Sequence, residues 1–242
     1  MALFEEISSR KSTRKYDMTP LAAEVLEEIK AFAENAMPLL PGIRVEYHII
    51  GANKTKGFFA VKAPHYLVIS SESKAGYLTN AGFMFQQVCL YLSSKGFGSC
   101  WVGGVKPAEK VSTDLEHVMV MAFGNAAEDI HRAMGEFKRK PLQEIATGAD
   151  DRLEYARLAP SAINSQPWFF VCENGGIDVY RKKNGALKAI VYEKMSEVDI
   201  GIALCHIWLA SEHLGVNFSF EIEKTPATAP PKGYLYIGTV KP

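Results

Sequence analysis

The sequence predicts a mixed helix and strand fold of the α+β class, built from two similar halves. Apolar residues recur at helical spacing in the longer segments and form short runs elsewhere, which indicates both helices and strands. The segment Asn80-Ala81-Gly82 also matches Asp199-Ile200-Gly201, 119 positions later, and each lies in a long apolar helix. A repeat at this distance indicates an internal duplication. We therefore expect a first half at residues 1–148 and a second, shorter half at residues 149–242.

The elements of the first half follow from these patterns. Thr19 and Pro20 are expected to begin a helix, with Thr19 as its N-cap. Residues 51–56 form a polar turn that is expected to open a short helix. The other expected elements are a short helix at residues 3–7, strands at 44–50, 63–70 and 118–124, and a central helix at 74–95.

The second half is expected to repeat this order in a shortened form. Residues 150–158 have apolar side chains at helical spacing. Pro160 ends that helix because it biases Ala159 away from the helical backbone region. The other expected elements are a strand from Trp168, a long helix around Asp199, a closing strand at residues 233–238 and a pocket lid at residues 184–197.

Composition excludes several classes of function. Lys plus Arg and Asp plus Glu are balanced at 27 each, so no overall field attracts the chain to nucleic acid or to an anionic membrane. The start of the chain lacks the pattern of a signal peptide, and no apolar run reaches the length of a membrane span. The four cysteines have neither metal-like spacing nor the density of a disulfide scaffold. We expect a soluble cytoplasmic protein with free buried thiols and no metal site.

The turn at residues 159–170, Ala-Pro-Ser-Ala-Ile-Asn-Ser-Gln-Pro-Trp-Phe-Phe, is the first candidate for a functional site. Two prolines stiffen it, and Ser161, Asn164, Ser165 and Gln166 between them can all form hydrogen bonds. A rigid backbone that carries several such groups suits the edge of a flat polar ligand. The same stretch is also compatible with an ordinary helix-to-strand loop.

Two basic segments and a pair of glycines are the other candidates. Residues 10–16 read Arg-Lys-Ser-Thr-Arg-Lys-Tyr, and residues 137–142 read Phe-Lys-Arg-Lys-Pro-Leu. Such clusters of positive charge suit a phosphate group, although a solvated basic patch explains either segment alone. Gly103 and Gly104, within residues 99–107, allow the backbone to approach a planar ring closely.

Together these motifs resemble those of the FMN-dependent nitroreductase family. Pro-Ser-x-x-Asn-x-Gln-Pro-Trp from Pro160 resembles the turn signature of that family. Residues 10–16 resemble its Arg-Arg-Ser-x-Arg-x-aromatic segment, with Lys11 as the one departure, and residues 138–142 resemble its basic ending. The resemblance implies a three-layer α/β/α fold, bound FMN, and transfer of electrons from NAD(P)H to nitroaromatic, quinone or similar acceptors. Because the flavin carries the chemistry, no catalytic side chain is implied.

The resemblance also implies which residues contact FMN. In the family an Asn and a Lys after the first strand reach the pyrimidine edge of the flavin, which makes Asn53 and Lys56 candidates. Both are equally well explained as solvated residues that cap a helix. The complete implied set is Arg10, Lys11, Ser12, Arg14, Asn53, Lys56, Val102, Gly103, Gly104, Arg139, Pro160, Ser161, Ala162 and Asn164.

The position of the turn is the main departure from the family. The turn normally follows the arginine segment by some tens of residues, whereas here roughly 150 residues separate them, and residues 37–42 occupy its usual place. In family homodimers the partner subunit supplies the turn to each site. The resemblance therefore implies an intramolecular pseudo-dimer in which the two halves share one intact FMN site. We expect a monomer that binds one FMN per chain.

Two other functions stay open on the sequence alone. A flavin-binding carrier or sensor would retain the site and lack turnover, whereas a scaffold would bind no flavin. Sustained consumption of NAD(P)H distinguishes the enzyme from the carrier. A retained flavin spectrum distinguishes both from the scaffold.

Overall fold

Two β-sheets and two long helices form the body of the chain. The structure is a computed structural model that describes residues 3–57, 61–222, 226 and 229–241, with the backbone alone at 186–191. The helices are α1 Leu3–Glu6, α2 Ala23–Glu34, α3 Tyr77–Ser94, α4 Leu142–Ile145, α5 Arg152–Arg157 and α6 Ala186–Leu214, with single 3₁₀ turns at Met134–Glu136 and Ala162–Asn164. The strands are β1 Val45–Gly51, β2 Thr55–Gly57, β3 His65–Ser71, β4 Gly98–Val102, β5 Val105–Pro107, β6 Glu116–Gly124, β7 Ala146–Thr147, β8 Trp168–Glu173, β9 Gly176–Lys182, β10 Ser219–Glu221 and β11 Tyr234–Lys241.

Each predicted half contributes one main sheet. The first is four-stranded and antiparallel, with the order β1-β3-β6-β4, and the second is five-stranded, with the order β10-β11-β9-β8-β7. Only the short β7 is parallel to its neighbour, through the pairs Ala146 with Phe170 and Thr147 with Val171. β7 precedes residue 148 and still pairs with the second sheet. The backbone of the first half thus extends the sheet of the second.

The layer order differs from the predicted α/β/α order. α3 packs against the four-stranded sheet, α6 packs against β8 and β9, and the two helices pack against each other. Alternate residues of β3 explain this arrangement, because Leu67 and Ile69 belong to the core beside the helices. Tyr66 and Val68, on the other face, pack in a second cluster of strand and loop residues that includes Tyr16. The helices therefore lie between the sheets, and strands and loops cover the outer face of the first sheet.

Two glycines bring the backbones of α3 and α6 into direct contact. A Cβ atom on Gly82 would overlap the carbonyl oxygen of Val198, and a Cβ atom on Gly201 would overlap that of Thr79. The predicted repeat relates the two contacts to each other. Gly82 and Gly201 are 119 positions apart, and so are their partners Thr79 and Val198. Such reciprocity is the property of a two-fold interface. Here it occurs within one chain.

Buried polar residues of the two helices have specific partners. Gln86 Nε2 lies 3.0 Å from His206 Nε2, and His206 Nδ1 lies 3.0 Å from the carbonyl oxygen of Tyr155. Burial lowers the pKa of His206 to about 3, so the imidazole is neutral. His213, seven residues later, stacks on Phe4 with ring centroids 3.9 Å apart. His206 thus has a structural role in the core, whereas His213 is exposed and packs on Phe4 at the surface.

Two local predictions are wrong. α2 begins at Ala23 with Ala22 at its N-cap, so Thr19 lies too early to cap it. The Thr19 N–H and hydroxyl instead donate to Asp17 Oδ1, at 2.9 and 2.8 Å. The segment after Asn53 is not a helix either. Residues 55–57 pair with β5 instead, which gives the amides of this polar stretch a strand partner.

All four cysteines are free thiols. Cys89, Cys100 and Cys205 are buried free thiols as predicted, whereas Cys172 is half-buried. Burial raises the pKa of Cys172 to about 11. No helix in the described part of the chain combines the length and apolar character needed to cross a membrane.

Candidate functional site

A cavity of about 280 Å³ has walls from both predicted halves. The first half contributes the N-terminal segment, the end of β4 and the glycine pair, and the second contributes the turn after α5 and one face of α6. The lining residues are Ser12, Arg14, Val61, Cys100, Trp101, Val102, Gly103, Gly104, Met119, Pro160, Ser161, Ala162, Ile163, Tyr192, Met195, Val198, Asp199 and Ile202. The walls are mostly apolar with a few polar groups, which is the usual character of a site for an organic ligand.

The glycine pair gives this cavity a backbone wall. Gly104 has a φ of +71°, in the region where other residues are strained. A Cβ atom on Gly103 would lie 2.6 Å from Met195 Cε, so a side chain there would displace the Met195 thioether. The two glycines thus place bare main chain directly opposite α6.

The turn at residues 160–166 is held in a strained conformation. Ile163, Asn164 and Gln166 all have positive φ angles, of 49°, 55° and 48°. Such an angle is a genuine outlier for the β-branched Ile163. The basic segment of the first half fixes this geometry, since Arg139 Nη1 donates to Asn164 Oδ1 at 2.7 Å and the Lys140 N–H donates to Gln166 Oε1 at 2.8 Å. The strain is maintained across the boundary between the halves.

Replacing Ile163 by glycine should stabilise the protein. Ile163 is 76% exposed, so its removal loses little burial, while glycine adopts a φ of 49° without steric cost. Relief of the strain should outweigh the added flexibility of the unfolded chain, for a net gain of about 1 kcal/mol. Urea denaturation measures this gain. Ile163→Val keeps the strain and should not gain stability, and equal stabilities of the two variants would contradict the interpretation.

Four arginines lie together next to the cavity, and the nearby Glu136 carboxylate offsets only part of their charge. Arg10, Arg14, Arg132 and Arg139 come together, and no carboxylate of a described residue forms an ion pair with any of them. Arg10 Nη1, Arg132 Nε and Arg139 Nε are buried without a hydrogen-bond partner among the described residues. Burial, followed by repulsion from Arg132 and Arg10, lowers the pKa of Arg139 to about 10. Buried positive charge with unpaired N–H groups is suited to binding an anion.

The structure brings most of the predicted FMN residues together. Those that line the cavity are Ser12, Arg14, Val102, Gly103, Gly104, Pro160, Ser161 and Ala162. Arg10 and Arg139 belong to the adjoining arginine cluster. Asn164 lies outside the cavity lining and binds Arg139 and the carbonyl oxygen of Lys138, the latter at 2.8 Å.

Three further predicted residues, Lys11, Asn53 and Lys56, belong neither to the cavity lining nor to the arginine cluster. The Lys11 N–H donates to the carbonyl oxygen of Ile130 at 2.9 Å, which fixes its backbone in the N-terminal segment. Asn53 is exposed in the turn before β2 with a φ of 61°. Lys56 is exposed on β2, and its Nζ donates to the carbonyl oxygen of Ala108 at 3.4 Å.

The structure adds residues that the motifs do not include. Arg132 joins the arginine cluster from a segment that matches no motif, and the only available signal was its position shortly before the basic ending. Asp199 was noticed only as part of the repeat, although it lines the cavity. The segment expected to form a lid is continuous with α6 from Ala186, and Met195 within it lies against the glycine pair.

The described cavity wall contains two residues of metal-ligating type, Cys100 and Asp199. Across all described residues, no three His, Cys, Asp or Glu side chains come together as a metal ion requires.

Comparisons with known proteins agree with this geometry. The family model described as "Putative TM nitroreductase" matches residues 2–211. The crystal structure of a putative nitroreductase from Thermotoga maritima has a TM-score of 0.66 and 22% identity, over 99% of this chain and 92% of that one. This similarity establishes the nitroreductase fold. No curated protein matches the chain.

Two smaller relatives cover only part of the chain. An FMN-dependent nitroreductase from Clostridium difficile has a TM-score of 0.43 and 23% identity, over 53% of this chain and 89% of that one. A putative nitroreductase from Desulfovibrio desulfuricans in complex with FMN has a TM-score of 0.43 and 18% identity, over 60% of this chain and 94% of that one. Because the family model covers most of the sequence, the chain belongs to the family described as "Putative TM nitroreductase".

Proposed function

We propose that the chain is an FMN-dependent NAD(P)H oxidoreductase that reduces nitroaromatic, quinone or similar acceptors. The observation that carries the proposal is the arginine cluster, whose buried N–H groups lack partners among the described residues, beside a cavity with walls from both halves. A cluster of this kind suits the phosphate of FMN, and an apolar cavity suits its ring. Membership of a nitroreductase family agrees with both.

The arginine cluster is suited to a phosphate group because some of its N–H groups are not used in hydrogen bonds with described residues. Arg10 is only 4% exposed, and its Nη1 has no partner among the described residues. Arg14 and Ser12 connect this cluster to the cavity, since both line it. A charge-assisted hydrogen bond contributes about 1.5–3 kcal/mol, so these residues are able to supply much of the binding energy of the cofactor.

The cavity fits a planar ring by its two opposed walls. The Gly103-Gly104 backbone forms one wall, and residues 160–162 form part of the other. The strained turn keeps Ser161 in place, because the Gln166 N–H donates to Ser161 Oγ at 2.9 Å. FMN, when bound, supplies the electron transfer between a nicotinamide donor and the acceptor. The protein residues then orient the ligands and exclude water, while Lys11, Asn53 and Lys56 stay predictions from the family resemblance.

The two halves, residues 1–148 and 149–242, are proposed to form an intramolecular pseudo-dimer. The reciprocal glycine contacts of α3 and α6 support this arrangement, as does the pairing of β7 with the second sheet. Because one chain supplies both walls of the cavity, we expect a monomer. Light scattering should give the chain mass of 26.7 kDa, and a stable mass of twice that value would contradict the proposal.

The visible absorbance spectrum of the purified protein, before and after addition of FMN and desalting, tests the proposal first. About one retained FMN per chain supports a single shared site, whereas two would mean that both pseudo-equivalent sites bind. The absence of retained flavin would contradict the proposal. Sustained NADH or NADPH oxidation with a quinone then separates an enzyme from a flavin carrier.

Substitutions in the two halves should both weaken FMN binding. Arg14→Ala removes a charged donor and should raise the dissociation constant of FMN by about tenfold or more. Asn164→Ala should raise it by several-fold, because it frees the guanidinium of Arg139 from its 2.7 Å hydrogen bond and loosens the turn. Fluorescence titration with FMN measures both constants.

A matched control for these variants is Arg44→Ala. Arg44 pairs with Asp114 far from the cavity lining, so its loss should leave FMN affinity unchanged. Unchanged affinity in both Arg14→Ala and Asn164→Ala would refute a site shared between the halves.

A further inference from the structure

Asp199 is a buried carboxyl group in the cavity wall that the proposed binding of FMN does not use. It lies on α6, is 4% exposed and lines the cavity beside Val198 and Ile202. Both of its carboxyl oxygens are 3.1 Å from the backbone nitrogen of Ala162, which donates to them. This single N–H belongs to the turn that forms the adjoining part of the wall.

Asn80 is the residue of the first half that corresponds to Asp199, and it shows that a hydrogen bond to a backbone N–H does not require a carboxyl group. Asn80 occupies the equivalent position on α3, 119 residues earlier. Its Oδ1 accepts a hydrogen bond from the Leu40 N–H at 2.9 Å, within the segment that replaces the turn. An amide therefore fulfils this structural role in the half without a turn motif. The property that only Asp199 has is an exchangeable carboxyl proton.

The surroundings of Asp199 favour the neutral acid. Burial raises its pKa well above the ordinary value, and the Ala162 N–H opposes this effect only in part. α3 and the 160–166 turn, which pack against this part of α6, contain no Asp, Glu, Lys, Arg or His. The described titratable groups that share the cavity are the Arg14 guanidinium, the Cys100 thiol and the Tyr192 phenol.

The two glutamates of α6 that precede Asp199 within two turns are paired with an arginine. Arg181 of β9 forms ion pairs with Glu193 and with Glu197, the latter at 3.7 Å. Asp199 forms no ion pair with a described residue. Its carboxyl group is consequently free to act on a molecule in the cavity.

We propose that the Asp199 carboxyl group donates a proton to an acceptor bound in the cavity; this inference rests on the oxidoreductase function proposed above. Reduction of a quinone to a hydroquinone adds two electrons and two protons. Hydride transfer by way of FMN from the nicotinamide donor supplies both electrons and one proton. The second proton leaves the Asp199 O–H as a new O–H bond forms on the acceptor, and solvent water then reprotonates the carboxylate.

The test compares wild-type protein with Asp199→Asn, in which the amide oxygen can still accept the Ala162 N–H as Asn80 does for Leu40. Rapid mixing measures flavin reduction by NADH and flavin reoxidation by a quinone separately, over a range of pH. We expect Asp199→Asn to slow reoxidation by about 100-fold and to remove its decline at high pH, because a general acid contributes about that much. Reduction by NADH and FMN affinity should change by less than about threefold.

A readout independent of turnover is the infrared difference spectrum between the wild type and Asp199→Asn. A protonated-carboxyl carbonyl band at neutral pH, absent from the variant, is expected. A carboxylate band instead would overturn the proposal, because the group would then have no proton to give.

Two controls separate the possible failures. Asn80→Asp places a carboxyl group at the equivalent buried site outside the cavity lining and should leave reoxidation unchanged. If the wild type binds FMN and turns over but Asp199→Asn reoxidises at the same rate with the same pH profile, the role of Asp199 is wrong and the proposed function stands. If the wild type binds no FMN, the proposed function fails and the role of Asp199 fails with it.

Discussion

Replacement of Gly201 by alanine is expected to lower the free energy of unfolding by about 3 kcal/mol, because overpacking a rigid contact has costs of this size. The added methyl group would overlap the carbonyl oxygen of Thr79 and lie 2.7 Å from the nitrogen of Phe83. Both atoms are backbone atoms of α3, so no side-chain rotation can relieve the overlap. The two helices would have to move apart, which would loosen the core between the sheets.

Urea denaturation of four variants tests this expectation. Gly82→Ala should destabilise by a similar amount through the reciprocal contact with Val198. Gly51→Ala is the matched control, since its added Cβ atom would meet nothing within 4 Å, and its effect should stay within about 0.5 kcal/mol. The double variant of Gly82 and Gly201 should lose less than the sum of the two single losses, because one separation of the helices relieves both overlaps. A Gly201→Ala protein as stable as Gly51→Ala would contradict the close contact.

Replacement of Asp199 by asparagine is expected to change how stability depends on pH. Burial raises the pKa of Asp199 in the folded protein above its unfolded value. Between these two values the folded state holds a proton that the unfolded state has lost, so the wild type loses stability as pH rises, by about 1.4 kcal/mol per pH unit. Asparagine does not titrate. The stability of Asp199→Asn relative to wild type should therefore grow with pH across this window.

Comparison of the two proteins at each pH isolates this effect. His206 contributes a slope of the opposite sign at acidic pH, because its pKa is lowered to about 3 in the folded state, but it does so in both proteins. Denaturant unfolding at a series of pH values above about 4 measures the difference. A difference that stays constant with pH would show that the pKa of Asp199 is ordinary.

The sequence was informative wherever a local pattern determines the local structure. The predicted helix at residues 150–158 and the strand from Trp168 correspond to α5 and β8, because apolar spacing and Pro160 act over a few residues. Thr19 failed as an N-cap because the helix begins four residues later, at Ala23, and Thr19 forms a local turn with Asp17 instead. Residues 55–57 form a strand only because β5, some 50 residues later, pairs with them. A partner that is distant in sequence leaves no trace in the local pattern.

The same distinction applies to the candidate site. Motifs located the turn, the glycine pair and most of the arginine cluster, since each has several characteristic residues in a short stretch. Arg132 and Asp199 were missed because each is a single residue that only the fold brings to the site. The layer order was also missed, because the apolar pattern of a strand does not reveal what covers its outer face.

The contact between α3 and α6 has a consequence for how the cavity responds to dilution. In a homodimer the subunits separate at low concentration, and a site between them is lost by mass action. Here both helices belong to one polypeptide, so the opposing walls stay together at any protein concentration, and FMN affinity should not depend on how much protein is present. In a homodimer every substitution is present in both subunits, because the two sequences are identical. Here a substitution changes only one wall of the cavity. Under the proposed pseudo-dimer each half is free to specialise, as Asp199 and Asn80 at the two equivalent positions would illustrate.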